Sequence, residues 1–301
     1  MTDEAPSGDP KVLYATPAPQ IARVTLNRAA QRNAQDTELL YALNAALDRA
    51  AADDAVRVIV IDALGPDFSS GHDLREAGGN PAGIADNMYR HDRVGTWSGF
   101  RDEGAAGQLA REQELYVGLC ERWRALPKPT IVAVQGRVIA GGLMLVWPFD
   151  IVIASEDASF QDNTLAMGIC GAELFAHPTE LGIRKAKEML FTSDSLSAQE
   201  AYRLGMVNRV VPRESLLDEA MAMAGRIAEK SLWALRVTKE VLNLAEDAMG
   251  RATIVRSAVG YHHLSHAHWR ALSGVPVDPD FIRGSAVARK GGLAQHISGE
   301  K

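Results

Sequence analysis

The fold is decided by the stretch TIVAVQGRVIAGG, which occupies residues 130–142. Its first part, Thr130–Val134, is a β-branched run typical of a buried strand. After a glycine turn, the apolar residues from Gly141 onward predict a helix, which Pro148 should end early because proline removes a backbone donor. A further strand is predicted at Asp150–Ser155. Strand, helix and strand in this order indicate a parallel sheet of the α/β class.

The same alternation occurs nearer the N-terminus. The runs Gln20–Leu26 and Val58–Ala63 are predicted strands, and the segment between them carries apolar residues at helical spacing. These residues are Leu39, Leu40, Leu43 and Leu47. Parallel strands need a crossover of this length, so the segment predicts a βαβ unit.

The last third of the chain is predicted to be mainly helical. Ser197 and Glu200 form a capping box that opens a short helix, and Gly205 should close it. The strand Met206–Val211 follows, and beyond it every periodic stretch has the spacing of a helix.

These patterns suggest how the chain is organised. We expect a core over residues 1–225 and a C-terminal helical region over residues 226–301. Within the core, the composition of residues 78–107 shifts to Gly, Asn, Arg and aromatic residues, which predicts an insertion or lid.

Composition excludes several classes of protein. The 301 residues are 47% hydrophobic and 23% charged, as in an ordinary globular protein, and the net charge of −6 does not favour nucleic acid binding. The longest uncharged apolar stretch, Val138–Phe149, is too short to span a membrane. The N-terminus lacks the features of a secretory signal, and two cysteines cannot form a disulfide framework. We therefore expect a cytoplasmic protein.

Two turns after predicted strands can aim backbone N–H groups into a cleft. The sequence FSSGHDL, residues 68–74, follows the first strand, and QGRVIAGG, residues 135–142, follows the second. Neither turn matches G-x-G-x-x-G or the P-loop, so phosphate binding by the turns is poorly supported. A pair of such turns can bind a developing oxyanion, or the turns can be tight connections without a chemical role.

Several short motifs occur in a fixed order over about residues 10–245. They are VTLNR at 24–28, FSSGHDL at 68–74, VQG at 134–136, AGG at 140–142, DI at 150–151, SAQEA at 197–201, LGMV at 204–207 and VP at 211–212. In these motifs the chain resembles the crotonase (enoyl-CoA hydratase/isomerase) superfamily. The resemblance implies an α/β fold with a crotonase-like ββα spiral core and a C-terminal α-helical region, assembled as a trimer or hexamer.

The resemblance also implies a site. The substrate would be an acyl-CoA thioester, with coenzyme A as part of the substrate and no separate cofactor. The thioester carbonyl would be held by the backbone N–H groups of His72 and Gly141, which suits an enolate because two donors stabilise the developing charge. Arg75 matches a position that meets the CoA phosphates, and we place Ser70 and Gly71 with it in the CoA-binding part of the site.

The chain departs from the family pattern at two positions. Hydratases of the family carry glutamates where this chain has Met144 and Thr164, and neither residue can activate water or transfer a proton. The nearby carboxylates are Asp162 and Glu173. Glu173 follows an apolar stretch, so we expect burial to raise its pKa and suit it to proton transfer, although a surface or ion-paired glutamate is the other interpretation.

The histidines allow more than one role. The imidazole of His72 could face the substrate or pack beside Asp73. His262 and His266 have the i, i+4 spacing that can bind zinc, but no third ligand is evident, so no metal is predicted and a subunit interface or pocket edge is favoured.

The leading hypothesis is therefore an acyl-CoA enzyme that stabilises a thioester enolate and is not a standard two-glutamate hydratase. One alternative is an acyl-CoA isomerase or hydrolase that uses Glu173 or Asp162. The other is a protein that binds acyl-CoA without turnover.

Overall fold

The computed structural model describes residues 9–77 and 81–284, which contain nine strands and twelve α-helices. The strands are β1 (Val12–Ala18), β2 (Ile21–Leu26), β3 (Val58–Ala63), β4 (Thr130–Val134), β5 (Arg137–Ile139), β6 (Ile151–Ser155), β7 (Ser159–Gln161), β8 (Leu196–Ser197) and β9 (Arg209–Val211). The helices are α1 (Thr37–Ala52), α2 (Leu74–Ala77), α3 (Pro81–Met88), α4 (Gly104–Glu112), α5 (Leu119–Arg124), α6 (His177–Leu181), α7 (Ile183–Thr192), α8 (Ala198–Leu204), α9 (Leu216–Ala228), α10 (Leu232–Ala248), α11 (Arg251–Ser273) and α12 (Pro279–Gly284). A π-helical segment, Gln113–Gly118, joins α4 to α5.

Two sheets form the centre of the molecule. The larger has the strand order β1-β2-β3-β4-β6-β9, with β1 antiparallel to β2 and every other neighbouring pair parallel. The smaller has the order β5-β7-β8. The α/β class predicted from the sequence is confirmed.

The inner strands of the large sheet, β2, β3, β4 and β6, are buried on both faces, which explains their runs of apolar and β-branched residues. In β3, Ile59 and Ile61 pack into the main core with α1, while Val58 and Val60 point to the other face and pack against α9. Alternate side chains of one strand therefore support two hydrophobic layers.

Most predicted elements are confirmed, with shifts at their ends. The βαβ unit is β2-α1-β3, and α8 begins after Ser197, whose side chain accepts a hydrogen bond from Glu200 N–H. Gly205 ends α8 with φ +87°, a conformation that glycine adopts without strain. The antiparallel strand β1 was not predicted.

The α-helix predicted from Gly141 is wrong. Residues Ala140–Leu145 form a 3₁₀ helix instead. The chain enters this segment through Ala140 with a positive φ of 45°, and β6 begins at Ile151, so there is no room for a longer helix before Pro148 and the next strand.

The predicted insertion contains α3, the start of α4 and a connection between them, while residues 78–80 lie outside the described part of the chain. The proposed boundary at residues 225–226 falls within α9, and the long helices α10 and α11 follow. Within the described ranges, no helix is long and apolar enough to cross a lipid bilayer.

Candidate active site

The two glycine turns identified in the sequence pack directly against each other. Gly71 has φ +88°, and a Cβ atom at this position would lie 2.7 Å from Ile139 O and 3.3 Å from Gly141 N. Ser69 and Val138 form a β-bridge beside this contact. Glycine at position 71 therefore permits the close approach that brings His72 and Gly141 together.

Gln35 connects both turns, and nothing in the sequence indicated this role. Its backbone N–H donates to Gly71 O at 2.8 Å, and its side-chain amide donates to Gly141 O at 2.6 Å. Because the Gly71–His72 peptide is trans, holding its carbonyl on one side directs the His72 N–H to the opposite side. Gln35, which is 2% exposed, thus orients the backbone that the sequence assigned to the oxyanion site.

The imidazole of His72 faces the candidate site. Its Nε2 lies 3.0 Å from Glu173 Oε2, and its ring stacks on Tyr116 with the centroids 3.9 Å apart. Asp73 instead pairs with Arg28 at 2.7 Å. The imidazole therefore packs against Glu173 and Tyr116 and not beside Asp73, and its position facing a substrate stays a prediction.

Glu173 is a buried carboxylate at the centre of several charged groups. Besides the bond to His72, its Oε1 lies 3.5 Å from His262 Nε2. Burial raises the pKa of Glu173, but the attraction of His72 and His262 outweighs burial and leaves the pKa below its usual range. The expected rise in this pKa is therefore wrong, because the two histidines that surround the carboxylate are distant from it in the chain.

Asp162 occupies a different, closed environment. Its oxygens accept hydrogen bonds from Thr164 N–H and Oγ1, from Ala172 N–H and from His177. Burial raises the pKa of Asp162, but the His177 and Thr164 interactions lower it to about 2. Each oxygen of Asp162 thus accepts two hydrogen bonds, which hold this carboxylate within the fold.

The two residues at the expected glutamate positions carry no carboxylate and are buried. Met144 is 1% exposed in the 3₁₀ helix, and Thr164 is 8% exposed with its hydroxyl donating to Asp162. Of the two sequence candidates, Glu173 is the carboxylate whose side chain contacts the imidazole of His72.

The predicted CoA-binding residues lie around the first turn. Arg75 is exposed on α2, and its backbone N–H donates to Asp73. The Ser70 N–H donates to Arg32 O, so this residue is held by the preceding loop. These positions are compatible with a cation at the rim of a site, and the CoA-binding role of Arg75, Ser70 and Gly71 stays a prediction.

Helix α11 carries a cluster of buried histidines that lies next to Glu173. His262 Nε2 lies 3.0 Å from His266 Nε2 and 3.5 Å from Glu112 Oε2, and His263 Nε2 lies 3.2 Å from the same oxygen. Burial lowers the pKa of His262, but Glu173 and Glu112 raise it to about 9. The sequence identified the histidines but missed Glu112.

Glu112 and Tyr116 reach the site through an irregular helix. Glu112 ends α4, and Tyr116 lies in the π-helical segment that follows. π-Helical segments often occur at functional sites because the extra residue redirects side chains. Hydrophobic periodicity does not report such a local change, which is why neither residue was a candidate.

The comparisons with known proteins agree with this fold. The model of the enoyl-CoA hydratase/isomerase family matches residues 18–105 and 101–274. EchA13 of Mycobacterium tuberculosis is 40% identical over 258 residues, which are 85% of this chain and 80% of that protein. The chain belongs to the enoyl-CoA hydratase/isomerase family and is a member of the crotonase superfamily of enzymes.

Solved structures show the same architecture. A probable enoyl-CoA hydratase from Mycobacterium thermoresistibile is 42% identical with a TM-score of 0.79, and the match covers 89% of this chain and 99% of that one. An enoyl-CoA hydratase/isomerase from Xanthobacter autotrophicus Py2 is 31% identical with a TM-score of 0.74, covering 95% of each chain. The predicted crotonase-like core with a C-terminal helical region is confirmed.

Proposed function

We propose that this protein acts on an acyl-CoA thioester, stabilises its enolate with the N–H groups of His72 and Gly141, and uses Glu173 to move the α-proton. One observation carries the proposal: Glu173 Oε2 lies 3.0 Å from the imidazole of His72, so a buried carboxylate stands beside the turn that supplies one of these donors.

In the reaction, the carboxylate of Glu173 takes the α-proton, and the electron pair of the C–H bond moves onto the thioester oxygen. The two N–H donors stabilise this negative charge, each contributing about 3 kcal/mol. Return of the proton from Glu173 to carbon regenerates a neutral thioester. Glu173 is ionised near neutral pH, as a base must be, but its lowered pKa makes it a weaker base than an ordinary carboxylate, so stabilisation of the enolate by the two N–H groups must supply much of the driving force.

The side chains at positions 144 and 164 argue against the standard hydration of an enoyl-CoA. Hydration of an enoyl-CoA needs groups that activate water and protonate carbon, but Met144 has no titratable group and the Thr164 hydroxyl is committed to Asp162. We therefore propose enolate chemistry, such as isomerisation, that one carboxylate can serve.

The test is exchange of the α-proton of a bound acyl-CoA in D₂O, followed by NMR for the wild-type protein and two variants. Glu173→Gln keeps the shape of the side chain and removes the base, so exchange should fall by about 10²–10⁴-fold. Asp162→Asn is the matched carboxylate control, and its folded fraction should still exchange. Exchange at the wild-type rate in folded Glu173→Gln would remove Glu173 from this role, and tight binding without exchange in wild type would favour the non-catalytic alternative.

We also propose that the protein assembles as a trimer or hexamer. Large apolar side chains are exposed on α10 and α11, among them Trp233, Val241, Leu242, Leu244, Tyr261, Leu264 and Leu272. Apolar surface of this extent in one region is typical of an interface between subunits. Sedimentation showing only monomer at micromolar concentration would contradict this.

A further inference from the structure

Two histidines on α11 face each other through the same ring nitrogen. The Nε2 atoms of His262 and His266 are 3.0 Å apart, and both side chains are more than nine-tenths buried. The other ring nitrogen of each points to a backbone carbonyl: His262 Nδ1 lies 2.7 Å from Gly171 O, and His266 Nδ1 lies 2.5 Å from Pro276 O.

This arrangement fixes where the protons are. A carbonyl oxygen only accepts hydrogen bonds, so both Nδ1 atoms must carry a proton. Two neutral rings would then direct Nε2 lone pairs at each other, which is repulsive at 3.0 Å, so a cation must lie between them: either a proton on His262, whose pKa Glu173 and Glu112 raise, or a metal ion. Donation from Nδ1–H to a carbonyl is also the arrangement that orients metal-ligating histidines in proteins.

A carboxylate completes the set. Glu112 Oε2 is buried and accepts no well-aligned hydrogen bond from the described residues, although it lies 3.2 Å from His263 Nε2 and 3.5 Å from His262 Nε2. The ligand atoms of Glu112, His262 and His266 all lie within 4.8 Å of one another. Tetrahedral zinc with bonds of about 2.0–2.2 Å separates its ligands by about 3.3–3.5 Å, close to the spacings between the His262 nitrogen and its two neighbours.

We propose that Glu112, His262 and His266 bind a divalent transition-metal ion, for which zinc fits the ligand set best. Two histidines and one carboxylate leave a fourth position open. Glu173 Oε1 lies 3.5 Å from His262 Nε2 and is therefore close to this open coordination position. The sequence predicted no metal because a third ligand was not evident, and Glu112 supplies that ligand in the structure. Metal affinity can be measured without acyl-CoA, so failure of this proposal can be distinguished from failure of the proposed enolate chemistry.

The test uses the full chain, stripped of metal with a chelator and titrated with ZnCl₂ in a calorimeter. We expect one ion per chain, with affinity reduced by at least about 100-fold in His266→Ala and in Glu112→Gln, which exceeds the usual loss for a residue that only orients a ligand. His268→Ala is the control, since His268 is exposed on the same helix and should leave affinity within about twofold of wild type.

Cobalt provides a second readout. Adding Co²⁺ to the wild-type protein should give the intense visible absorption of a tetrahedral site, and folded Glu112→Gln should lose or shift it. Circular dichroism shows whether each variant is folded. Absence of a stoichiometric Zn²⁺ site in wild type, or unchanged affinity in both ligand variants, would overturn the proposal and leave a shared proton as the cation between the histidines.

Discussion

Replacing Gly141 by alanine should disturb the candidate site with a single methyl group. A Cβ atom at this position would lie 2.6 Å from Cε1, 2.7 Å from Nδ1 and 3.0 Å from Nε2 of the His72 ring. Carbon atoms in favourable contact are about 3.5–4.0 Å apart, so the ring must move by about 1 Å. A movement of this size breaks the 3.0 Å bond to Glu173 or the stack on Tyr116.

The expected cost is larger for activity than for stability. Misplacing groups around a reacting centre by about 1 Å can lower the rate by about 10²-fold, whereas overpacking costs about 1–3 kcal/mol of unfolding free energy. The assay is α-proton exchange in D₂O, with chemical denaturation to measure stability. Gly225→Ala is the control because a Cβ atom there has no neighbour within 4 Å. Exchange in a folded Gly141→Ala protein within about twofold of wild type would refute the reasoning.

Three further predictions concern residues around this site. The pKa of Asp162 falls from 3.8 to about 2 on folding, so the ionised carboxylate contributes about 2 kcal/mol to the free energy of unfolding above pH 4. This contribution should disappear as the pH falls toward 2. A difference in unfolding free energy between wild type and Asp162→Asn that does not change with pH across that window would contradict this. Gln35→Ala leaves Gly141 O without its buried donor and should cost about 1–3 kcal/mol in denaturation experiments, while a neutral effect would show that this bond does not hold the turn. Arg75→Ala should weaken acyl-CoA binding in calorimetry at low salt without changing stability, and unchanged affinity would remove Arg75 from the site.

The parallel strands can be predicted well from the sequence because strands buried on both faces consist of nearly unbroken runs of apolar, β-branched residues. β3 and β4 have the bounds expected from their β-branched runs, and the glycines mark turns that only a small residue can occupy. The 3₁₀ helix after Ala140 was missed because its apolar residues are equally compatible with an α-helix, and the length of the connection to β6 decides between them.

The candidate site was predicted only in part for a similar reason. His72, Gly141 and Glu173 lie near recognisable motifs, so they could be selected from the sequence. Gln35 contacts Gly141, and Glu112 contacts His262, from segments distant in the chain, and such contacts appear only when the fold brings the segments together. The pKa of Glu173 depends on its contacts with His72 and His262, so the direction of its shift could not be derived from neighbouring residues in the sequence.

The most direct test of the proposed chemistry is a crystal structure of the protein with a bound, unreactive acyl-CoA. The account predicts the thioester oxygen within about 2.7–3.1 Å of both His72 N and Gly141 N. It also predicts that the carboxylate nearest the α-carbon is Glu173. A thioester oxygen bound away from these two nitrogens, or an α-carbon nearer to Asp162 than to Glu173, would contradict it.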